Sequence, residues 1–263
     1  MRESNIYKAL EELKNSFSGQ IHIDDATRLI YATDASAYRE KPLAVAFPRD
    51  KEDIRKLILL AGVQRCSLIP RAAGTSLAGQ VVGNGIVVDI SRYMNSILEL
   101  NVEEKWVWVE PGVVLNELNK FLAPHGLFFG PETSTADYCM IGGMVGNNAC
   151  GAHSLIYGST RNHTLAVKAL LSNGDDAVFE SLDNEQFDEK TKLQNLEGKL
   201  YSDIRLMLTD TENQVEIRKE YPEPGLRRRN TGYAIDLLLE TSPFSETPEK
   251  FNFCKLLAGS EGT

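Results

Sequence analysis

Residues 141–152 read IGGMVGNNACGA, at the centre of a 31-residue stretch, residues 130–160, that decides the fold. This stretch contains no lysine or arginine, and its only acidic residues are Glu132 and Asp137. Its glycine, asparagine, serine and threonine content makes it a poor helix or strand former, yet it is too apolar for disorder. Such backbone is typical of a loop that closely approaches a large bound group. A buried structural loop is the alternative.

A second glycine-rich segment, residues 70–80, reads PRAAGTSLAGQ and lies between two predicted strands. Small residues here let successive backbone N–H groups point at one place, which would make a nest for phosphate oxygens. A tight turn between strands is the equally weighted alternative. The segment is not a P-loop, because Gln80 and Val81 stand where lysine and serine or threonine are required. No G-x-G-x-x-G opens a helix, so the Rossmann fingerprint is absent too.

The residues before this segment predict a small βαβ unit. Apolar spacing indicates an amphipathic helix over residues 1–18, and an apolar run predicts a strand at 43–47. Asp50 is the expected N-cap of a second helix. Residues 67–69 and 86–90 are further apolar runs of strand length, and strand, helix and strand in this order favour a βαβ unit.

The rest of the chain mixes helices and strands without strict alternation, which predicts an α+β fold. We expect a strand at 106–109, a helix at 114–122 and a hairpin around Asn173-Gly174, the strongest short hairpin signal. Residues 183–199 are polar with few apolar side chains, and we interpret them as a surface insertion.

Composition excludes several classes of protein. The 263 residues carry a net charge of −9, which argues against non-specific nucleic-acid binding. No apolar run reaches the roughly 20 residues of a membrane helix. The four cysteines form no C-x-x-C pair, so we expect no structural metal within this chain. Scattered thiols of this kind favour a cytoplasmic protein, with peripheral attachment to the inner face of the membrane as the alternative.

The glycine-rich motifs together resemble the FAD-binding domain of the vanillyl-alcohol oxidase/p-cresol methylhydroxylase (PCMH-type) superfamily. Within it, the chain is most similar to the N-terminal part of bacterial FAD-linked oxidases fused to an iron–sulfur subunit, of the D-2-hydroxyglutarate and D-lactate dehydrogenase type. The superfamily motifs are residues 70–80, 130–135, 141–151, 157–160 and 257–263. The narrower similarity lies in residues 71–80, 116–134, 140–160 and 227–237.

The resemblance implies an α+β fold of two subdomains with FAD between them. Residues 1–24 would form an N-terminal helix and lead-in, residues 25–101 the first subdomain and residues 102–263 the second. The diphosphate would lie on the backbone of residues 71–76, and the resemblance assigns further flavin contacts to the other motifs. The implied cofactor-binding residues are Arg71, Ala72, Ala73, Gly74, Thr75, Ser76, Gly79, Gln80, Pro131, Glu132, Thr133, Ile141, Gly142, Gly143, Gly146, Asn147, Asn148, Gly151, Tyr157, Gly158, Glu261 and Gly262.

The resemblance also implies an activity: oxidation of a D-2-hydroxy acid of the lactate, glycolate or 2-hydroxyglutarate class to the 2-oxo acid. FAD would be bound non-covalently, because no histidine lies in residues 71–80. We expect the chain to be a fragment, inactive alone, with the catalytic residues, a substrate cap and an iron–sulfur electron acceptor in a following region.

Two features of the sequence leave alternatives open. Arg229, in a run of three arginines, could bind a substrate carboxylate, because an arginine fork matches a carboxylate bidentately. Tyr233 could donate to a flavin or substrate oxygen. A solvated charge run is the alternative. A flavin- or nucleotide-binding module without catalysis, or an FAD-linked alcohol or aldonolactone oxidase, is the alternative function.

Overall fold

The computed structural model describes residues 2–223, 225–226, 229 and 232–262. These residues form two compact units. Unit 1 lies within Met1–Met144, Ser172–Gly174 and Gly262–Thr263, and unit 2 comprises Val145–Leu171 and Asp175–Glu261. The sequence-based division between residues 101 and 102 falls inside unit 1 and stays a prediction.

Unit 1 combines helices with short strands, as an α+β fold requires. Its elements are α1 Arg2–Lys14, β1 Gln20–His22, α2 Asp25–Ile30, β2 Ala44–Phe47, α3 Lys51–Gln64, β3 Leu68–Arg71, β4 Ile86–Asp89, β5 Ile97–Asn101, β6 Trp106–Val109, α4 Leu115–Leu122 with a 3₁₀ turn at Ala123–His125, and α5 Ile141–Asn147, which continues into unit 2.

The first four strands form one sheet in the order β1-β2-β4-β3. β2 and β3 both run parallel to β4, so the predicted βαβ unit is confirmed, with β4 inserted between its two strands. β2 and β4 are buried on both faces, as expected of strands covered on two sides. This topology places the glycine-rich segment directly after β3, where Arg71 is in register with Asp89.

The predicted cap of α3 is confirmed, because Asp50 accepts a hydrogen bond from the N–H of Asp53 at 3.0 Å. Asp53 itself is fully buried. Its carboxylate accepts from the backbone N–H groups of Ser18, Gly19 and Arg49 at 2.8–3.0 Å. One carboxylate thereby ties the chain before β1 and the chain after β2 to the start of α3.

The second part of unit 1 is a β5–β6 antiparallel pair packed with α4. Both the strand at 106–109 and the helix at 114–122 were expected. Val113, Leu118 and Leu122 form the buried centre of this part, and Ile141 at the start of α5 packs against it. The core of this part therefore anchors the first residue of α5.

Unit 2 is a β-hairpin with helices around an aromatic core. Its elements are α6 Ser154–Tyr157, α7 Thr160–His163, β7 Val167–Leu170, β8 Asp176–Phe179, α8 Asn184–Thr191, α9 Leu196–Thr209, α10 Thr211–Glu220, α11 Ile235–Leu239 and α12 Cys254–Leu257. β7 and β8 pair antiparallel, which confirms the hairpin predicted from Asn173-Gly174. Gly174 adopts φ +85°, a conformation that glycine permits at little cost.

The interpretation of residues 183–199 as a surface insertion is wrong. They form α8 and the start of α9, and Phe187 is fully buried in the unit 2 core beside Tyr201 and Phe251. Asp183 and Gln186 close a capping box at the start of α8. A good cap and one large aromatic side chain are enough to hold this polar segment as a packed helix.

Residues 130–160 are also more helical than their composition indicates, because α5 and α6 lie within them and α7 begins at their last residue. Tertiary contacts override propensity here. At the start of α5, the N–H of Ile141 donates to the carbonyl of Val113 at 2.9 Å, and the N–H of Gly142 donates to that of Pro111 at 2.8 Å. These bonds fix a glycine-rich helix that would not be stable by itself.

Candidate functional site

The segment after β3 makes a sharp turn at Gly74, which lies close to the side chain of Arg71, the last residue of β3. Gly74 adopts φ +68°, and a Cβ added there would lie 2.7 Å from Nη2 of Arg71. Arg71 donates from Nη1 to the carbonyl of Thr33 at 2.9 Å, and the N–H of Ala35 donates to the carbonyl of Gly74 at 3.1 Å. Residues 33–35 therefore support the turn from one side.

This turn leaves a row of hydrogen-bond donors unused. Within the described residues, no backbone N–H of residues 72–78 donates a hydrogen bond. The Oγ of Ser76 is buried and likewise has no partner in that part of the chain. A buried hydroxyl such as that of Ser76 is normally paired, and the unused N–H groups beside it can bind oxygen acceptors. The turn is therefore a candidate place for a ligand that supplies such acceptors.

Unit 1 brings two further predicted site residues to this turn. A Cβ added to Gly143, on the first turn of α5, would lie 3.2 Å from the Cβ of Ala72. Gly262 adopts φ +84° and approaches Pro70 at 3.6 Å by the same measure. Gly142 has another purpose: its added Cβ would lie 2.6 Å from the Cβ of Pro111, so its small size serves packing.

A hydrogen-bonded tyrosine–aspartate pair lies at the base of the turn. The hydroxyl of Tyr31 donates to Oδ2 of the buried Asp89 at 2.6 Å, and the guanidinium of Arg71 lies 5.0 Å from the centre of the Tyr31 ring. Burial and the hydrogen bond to Asp89 raise the pKa of Tyr31 well above its ordinary value, so the phenol stays protonated. The neutral phenol thereby keeps its donor role towards the carboxylate.

Residues 131–133 form a separate turn within unit 1. Pro131 is buried, Glu132 is exposed and Thr133 is half-buried. The hydroxyl of Thr133 lies 3.1 Å from Sγ of the buried Cys139. The predicted role of these three residues in cofactor binding stays a prediction.

The predicted residues of unit 2 gather where the end of α5 meets the last described segment of the chain. The N–H of Gly259 donates to the carbonyl of Val145 at 2.9 Å, and the N–H of Glu261 donates to that of Gly146 at 2.8 Å. Glu261 adopts φ +54°, which is rare for a residue with a side chain. A Cβ added to Gly146 meets no atom of the described residues within 4 Å, so one side of this glycine is open within that part of the chain.

Asn148 and Arg161 form the buried centre of this region. Asn148 is 1% exposed, adopts φ +44° and accepts from the backbone N–H of Arg161 at 2.9 Å. The motif at residues 157–160 stops one residue short of Arg161, although a lone cation directly after 31 residues without lysine or arginine was a usable signal. Thr160 is fully buried and binds the carbonyl of Ala149 through its hydroxyl at 2.7 Å.

The remaining predicted contacts of unit 2 are more exposed. The ring of Tyr157 packs edge-on against His153, with 6.2 Å between the ring centres. Gly158 adopts φ +76°, and an added Cβ would lie 2.7 Å from Oδ1 of Asn162. Asn147 is exposed at the end of α5, and Gly151 is half-buried.

The two residues predicted to bind substrate differ in how exposed their side chains are. The side chain of Arg229 is only 13% exposed and forms an ion pair with Asp236, so it is not a solvated charge. Tyr233 is 42% exposed, and its carbonyl accepts from the hydroxyl of Tyr221 at 2.8 Å. Residues 227, 228, 230 and 231 of the same basic segment lie outside the described residues.

Comparison with known families decides the class of ligand for these loops. The model of the FAD binding domain family matches residues 42–176, just over half of the chain. The chain belongs to the FAD binding domain family. The match contains the turn after β3, all of α5 and the Tyr157-Gly158 turn.

Curated relatives share this FAD binding domain over most of the present chain. The D-2-hydroxyglutarate dehydrogenase of Haemophilus influenzae is 40% identical over 99% of this chain and 25% of its own length. That of Escherichia coli is 37% identical over 97% of this chain and 24% of its own. The glycolate oxidase subunit GlcD of Bacillus subtilis is 33% identical over 65% of this chain and 37% of its own. The chain spans about a quarter of the length of the dehydrogenases it matches.

Solved structures confirm the fold of the FAD binding domain. Physcomitrella patens BBE-like 1 superposes with a TM-score of 0.57 at 17% identity, covering 67% of this chain and 38% of its own. The 6-hydroxy-D-nicotine oxidase of Arthrobacter nicotinovorans gives a TM-score of 0.53 at 21% identity, covering 62% of this chain and 36% of its own. The predicted α+β, PCMH-type fold is therefore confirmed.

The residues present fit FAD. The unused N–H groups of residues 72–78 and the unpaired hydroxyl of Ser76 offer donors for diphosphate oxygens. The open side of Gly146 leaves room beside a backbone that is already fixed. FAD is a dianion at its diphosphate, and no carboxylate hydrogen-bonds to the backbone of residues 72–78 in the described part of the chain.

The described residues contain neither a candidate metal site nor a candidate membrane-spanning helix. No group of three or more histidine, cysteine or acidic side chains that could hold a metal ion occurs among the described residues. Within the same residues, no helix has both the length and the apolar character needed to cross a membrane.

Proposed function

We propose that this chain is the FAD-binding part of a flavin-dependent dehydrogenase that oxidises a D-2-hydroxy acid, with D-2-hydroxyglutarate as the first substrate to test. The observation that carries the proposal is the 40% identity to a D-2-hydroxyglutarate dehydrogenase over 99% of the chain. The glycolate oxidase subunit matches less of the chain and at lower identity, which ranks glycolate second.

In this proposal FAD, when bound, would supply the acceptor for the hydride, which carries both electrons of the oxidation. The residues of this chain bind and orient it. The N–H groups of residues 72–78 and the hydroxyl of Ser76 hold the diphosphate, and the backbone around Gly146 and Asn148 supports the remainder. No residue of this chain is assigned as the base that takes the hydroxyl proton.

The proposal extends to partners and location. Electrons leave through an iron–sulfur domain or protein, and the substrate is a small 2-hydroxy acid. We propose non-covalent FAD, because residues 71–80 contain no histidine. We also propose a cytoplasmic location, with peripheral attachment to the inner face of the membrane as the alternative, on the support of four cysteines that form no disulfide.

Flavin binding is tested by absorbance. The purified chain is incubated with FAD, desalted and measured, then precipitated with acid. We expect retained flavin bands that pass into the acid supernatant. Bands that stay with the precipitate would contradict the non-covalent link, and no retained flavin would contradict a complete FAD site within this chain.

The substrate is tested in the complete polypeptide that contains this chain. Reduction of an artificial electron acceptor is followed with D-2-hydroxyglutarate, D-lactate and glycolate, and with L-2-hydroxyglutarate as the control. We expect the highest kcat/KM for D-2-hydroxyglutarate. A preference for glycolate or D-lactate would overturn the substrate assignment, and activity with none of the acids would favour a binding module.

A further inference from the structure

Arg161 is a buried cation whose side-chain hydrogen bonds go to backbone carbonyls. It is 6% exposed. Its Nε donates to the carbonyl of Ala258 at 3.0 Å, and its Nη2 donates to that of Gly232 at 2.7 Å and to Ala258 as well. These carbonyls lie 97 and 71 residues further along the chain. One side chain therefore joins three segments of unit 2.

Among the described residues, no carboxylate accepts a hydrogen bond from this guanidinium, and the nearby Asp236 is paired with Arg229. Burial lowers the pKa of Arg161, the charge of Arg229 acts in the same direction, and Asp236 opposes both. Burying a charge against neutral carbonyls is unfavourable in itself. We therefore expect the buried guanidinium of Arg161 to fix a backbone arrangement that apolar packing alone would not specify.

The arrangement that Arg161 holds is the region of unit 2 assigned to the flavin. Ala258 precedes the two residues, Gly259 and Glu261, whose N–H groups bond to the end of α5. On the other side, the backbone N–H of Arg161 fixes the amide of Asn148. Gly259 adopts φ +107°, and a Cβ there would lie 2.6 Å from Nη2 of Arg161. The contact therefore needs both an arginine at 161 and a glycine at 259.

We infer that Arg161 is a positioning residue for FAD binding, which locks residues 258–261 and Gly232 onto residues 145–149 before the cofactor binds. It acts through the backbone of these residues and not by contact with the flavin. The inference rests on the proposed function for its ligand, whereas the lock itself is a property of the chain without FAD.

The first test measures FAD affinity of the full chain by quenching of flavin fluorescence. Arg161→Lys keeps the charge but cannot span both carbonyls, and Arg161→Gln removes the charge. We expect both to raise the Kd for FAD at least about tenfold, as loss of one or two charge-assisted hydrogen bonds implies. Arg218→Lys and Arg218→Gln, at an exposed position of α10, are the matched controls and should leave the Kd unchanged.

The second test uses amide hydrogen exchange without FAD. In both Arg161 variants the amides of Gly259 and Glu261 should exchange faster, while those of the β7–β8 hairpin keep the wild-type rate. A residue with only a general structural role would accelerate exchange across the whole of unit 2. Uniform acceleration would therefore overturn the inference, as would an FAD affinity within twofold of wild type.

Gly259→Ala breaks the same contact from the other side and decides the question if the Arg161 variants do not fold. We expect it to weaken FAD binding and to speed exchange at Glu261 with Arg161 intact. Wild-type FAD affinity with normal exchange in this variant would contradict the lock. A wild-type chain that binds no FAD would count against the proposed function alone, because the exchange experiment needs no cofactor.

Discussion

The two glycine-rich regions of the molecule use glycine in opposite ways. In unit 1, the turn at residues 72–78 keeps its backbone N–H groups unused within the described structure. In unit 2, the segments 145–149 and 258–261 bond to each other, and the side chain of Arg161 donates to the carbonyl groups of Ala258 and Gly232. The unit 1 turn therefore has hydrogen-bond donors that a ligand could use, whereas the unit 2 segments use their donors in hydrogen bonds within the chain.

The difference shows that glycine content alone does not identify a contact with the cofactor. Gly74 permits a left-handed turn, within which the N–H groups of residues 72–78 donate no hydrogen bond among the described residues. Gly142 and Gly259 instead permit close approach of Pro111 and of Arg161 with Gly232. A substitution therefore separates the two uses. In the first case it should lower FAD affinity alone, and in the second it should lower the free energy of unfolding, together with FAD affinity where the contact supports the site, as at Gly259.

The largest effect on the free energy of unfolding is expected from Asp236→Ala, which removes the buried ion pair with Arg229 in unit 2. The substitution leaves the buried guanidinium groups of Arg229 and Arg161 without a nearby carboxylate. We expect the free energy of unfolding, measured in urea, to fall by about 3 kcal/mol. Asp203→Ala removes an exposed ion pair with Lys199 and should change it by less than about 1 kcal/mol. An equal fall in the free energy of unfolding in the two variants would show that the buried ion pair contributes no more to stability than the exposed one.

The next prediction contrasts two glycines of α5. Gly142→Ala places a methyl group against Pro111 and should lower the free energy of unfolding by about 2 kcal/mol. Gly146→Ala meets nothing within 4 Å and should raise it by up to about 1 kcal/mol, because alanine favours the helix. The same methyl group should weaken FAD binding about tenfold if the cofactor covers this side. Unchanged FAD affinity in Gly146→Ala would remove Gly146 from the site.

A smaller effect on affinity is expected from Ser76→Ala in the open region of unit 1. Its buried hydroxyl has no partner among the described residues, so the variant without FAD should be as stable as wild type. Loss of one hydrogen bond to the ligand should raise the Kd for FAD about fivefold. Ser16→Ala, at an exposed hydroxyl, is the control. A loss of stability without a loss of affinity would give this serine a structural role instead.

The smallest effect at neutral pH concerns Cys254 in the unit 2 core. Burial raises the pKa of its thiol to about 12, above the value in the unfolded chain. Because the folded state then holds a proton that the unfolded state has lost, stability should fall as the pH rises from about 9 to 12. Cys254→Ala should flatten this part of the pH profile, with Cys66→Ala as the control. An identical slope in wild type and Cys254→Ala would contradict the assignment.

Local chemistry explains which elements could be predicted from the sequence. The strands at 86–89 and 106–109 are runs of apolar, largely β-branched or aromatic residues, and Asp50 caps a helix through its nearest neighbours. The hairpin at Asn173-Gly174 depends on one backbone conformation. The nest after β3 was one of two open alternatives, and the unused donors of residues 72–78 favour it.

Long-range packing explains what could not be predicted. Phe187 is the one large aromatic residue in a polar segment, and its contacts with Tyr201, Phe244 and Phe251 make it part of the core. Arg161 bonds to carbonyls that any residue type could supply, so the identities of Gly232 and Ala258 give no sign of the contact. Backbone acceptors far along the chain leave no sequence pattern.

The position of β4 also sets an order of events during synthesis. β3 lies at the edge of the sheet, and its strand partner is β4, which the ribosome makes later. Residues 72–85, which contain the nest, connect these two strands. The turn therefore gains its two fixed ends when residue 89 has left the ribosome and β4 has entered between β2 and β3. Until then the nascent chain carries residues 72–78 without the two strands that fix the ends of their turn.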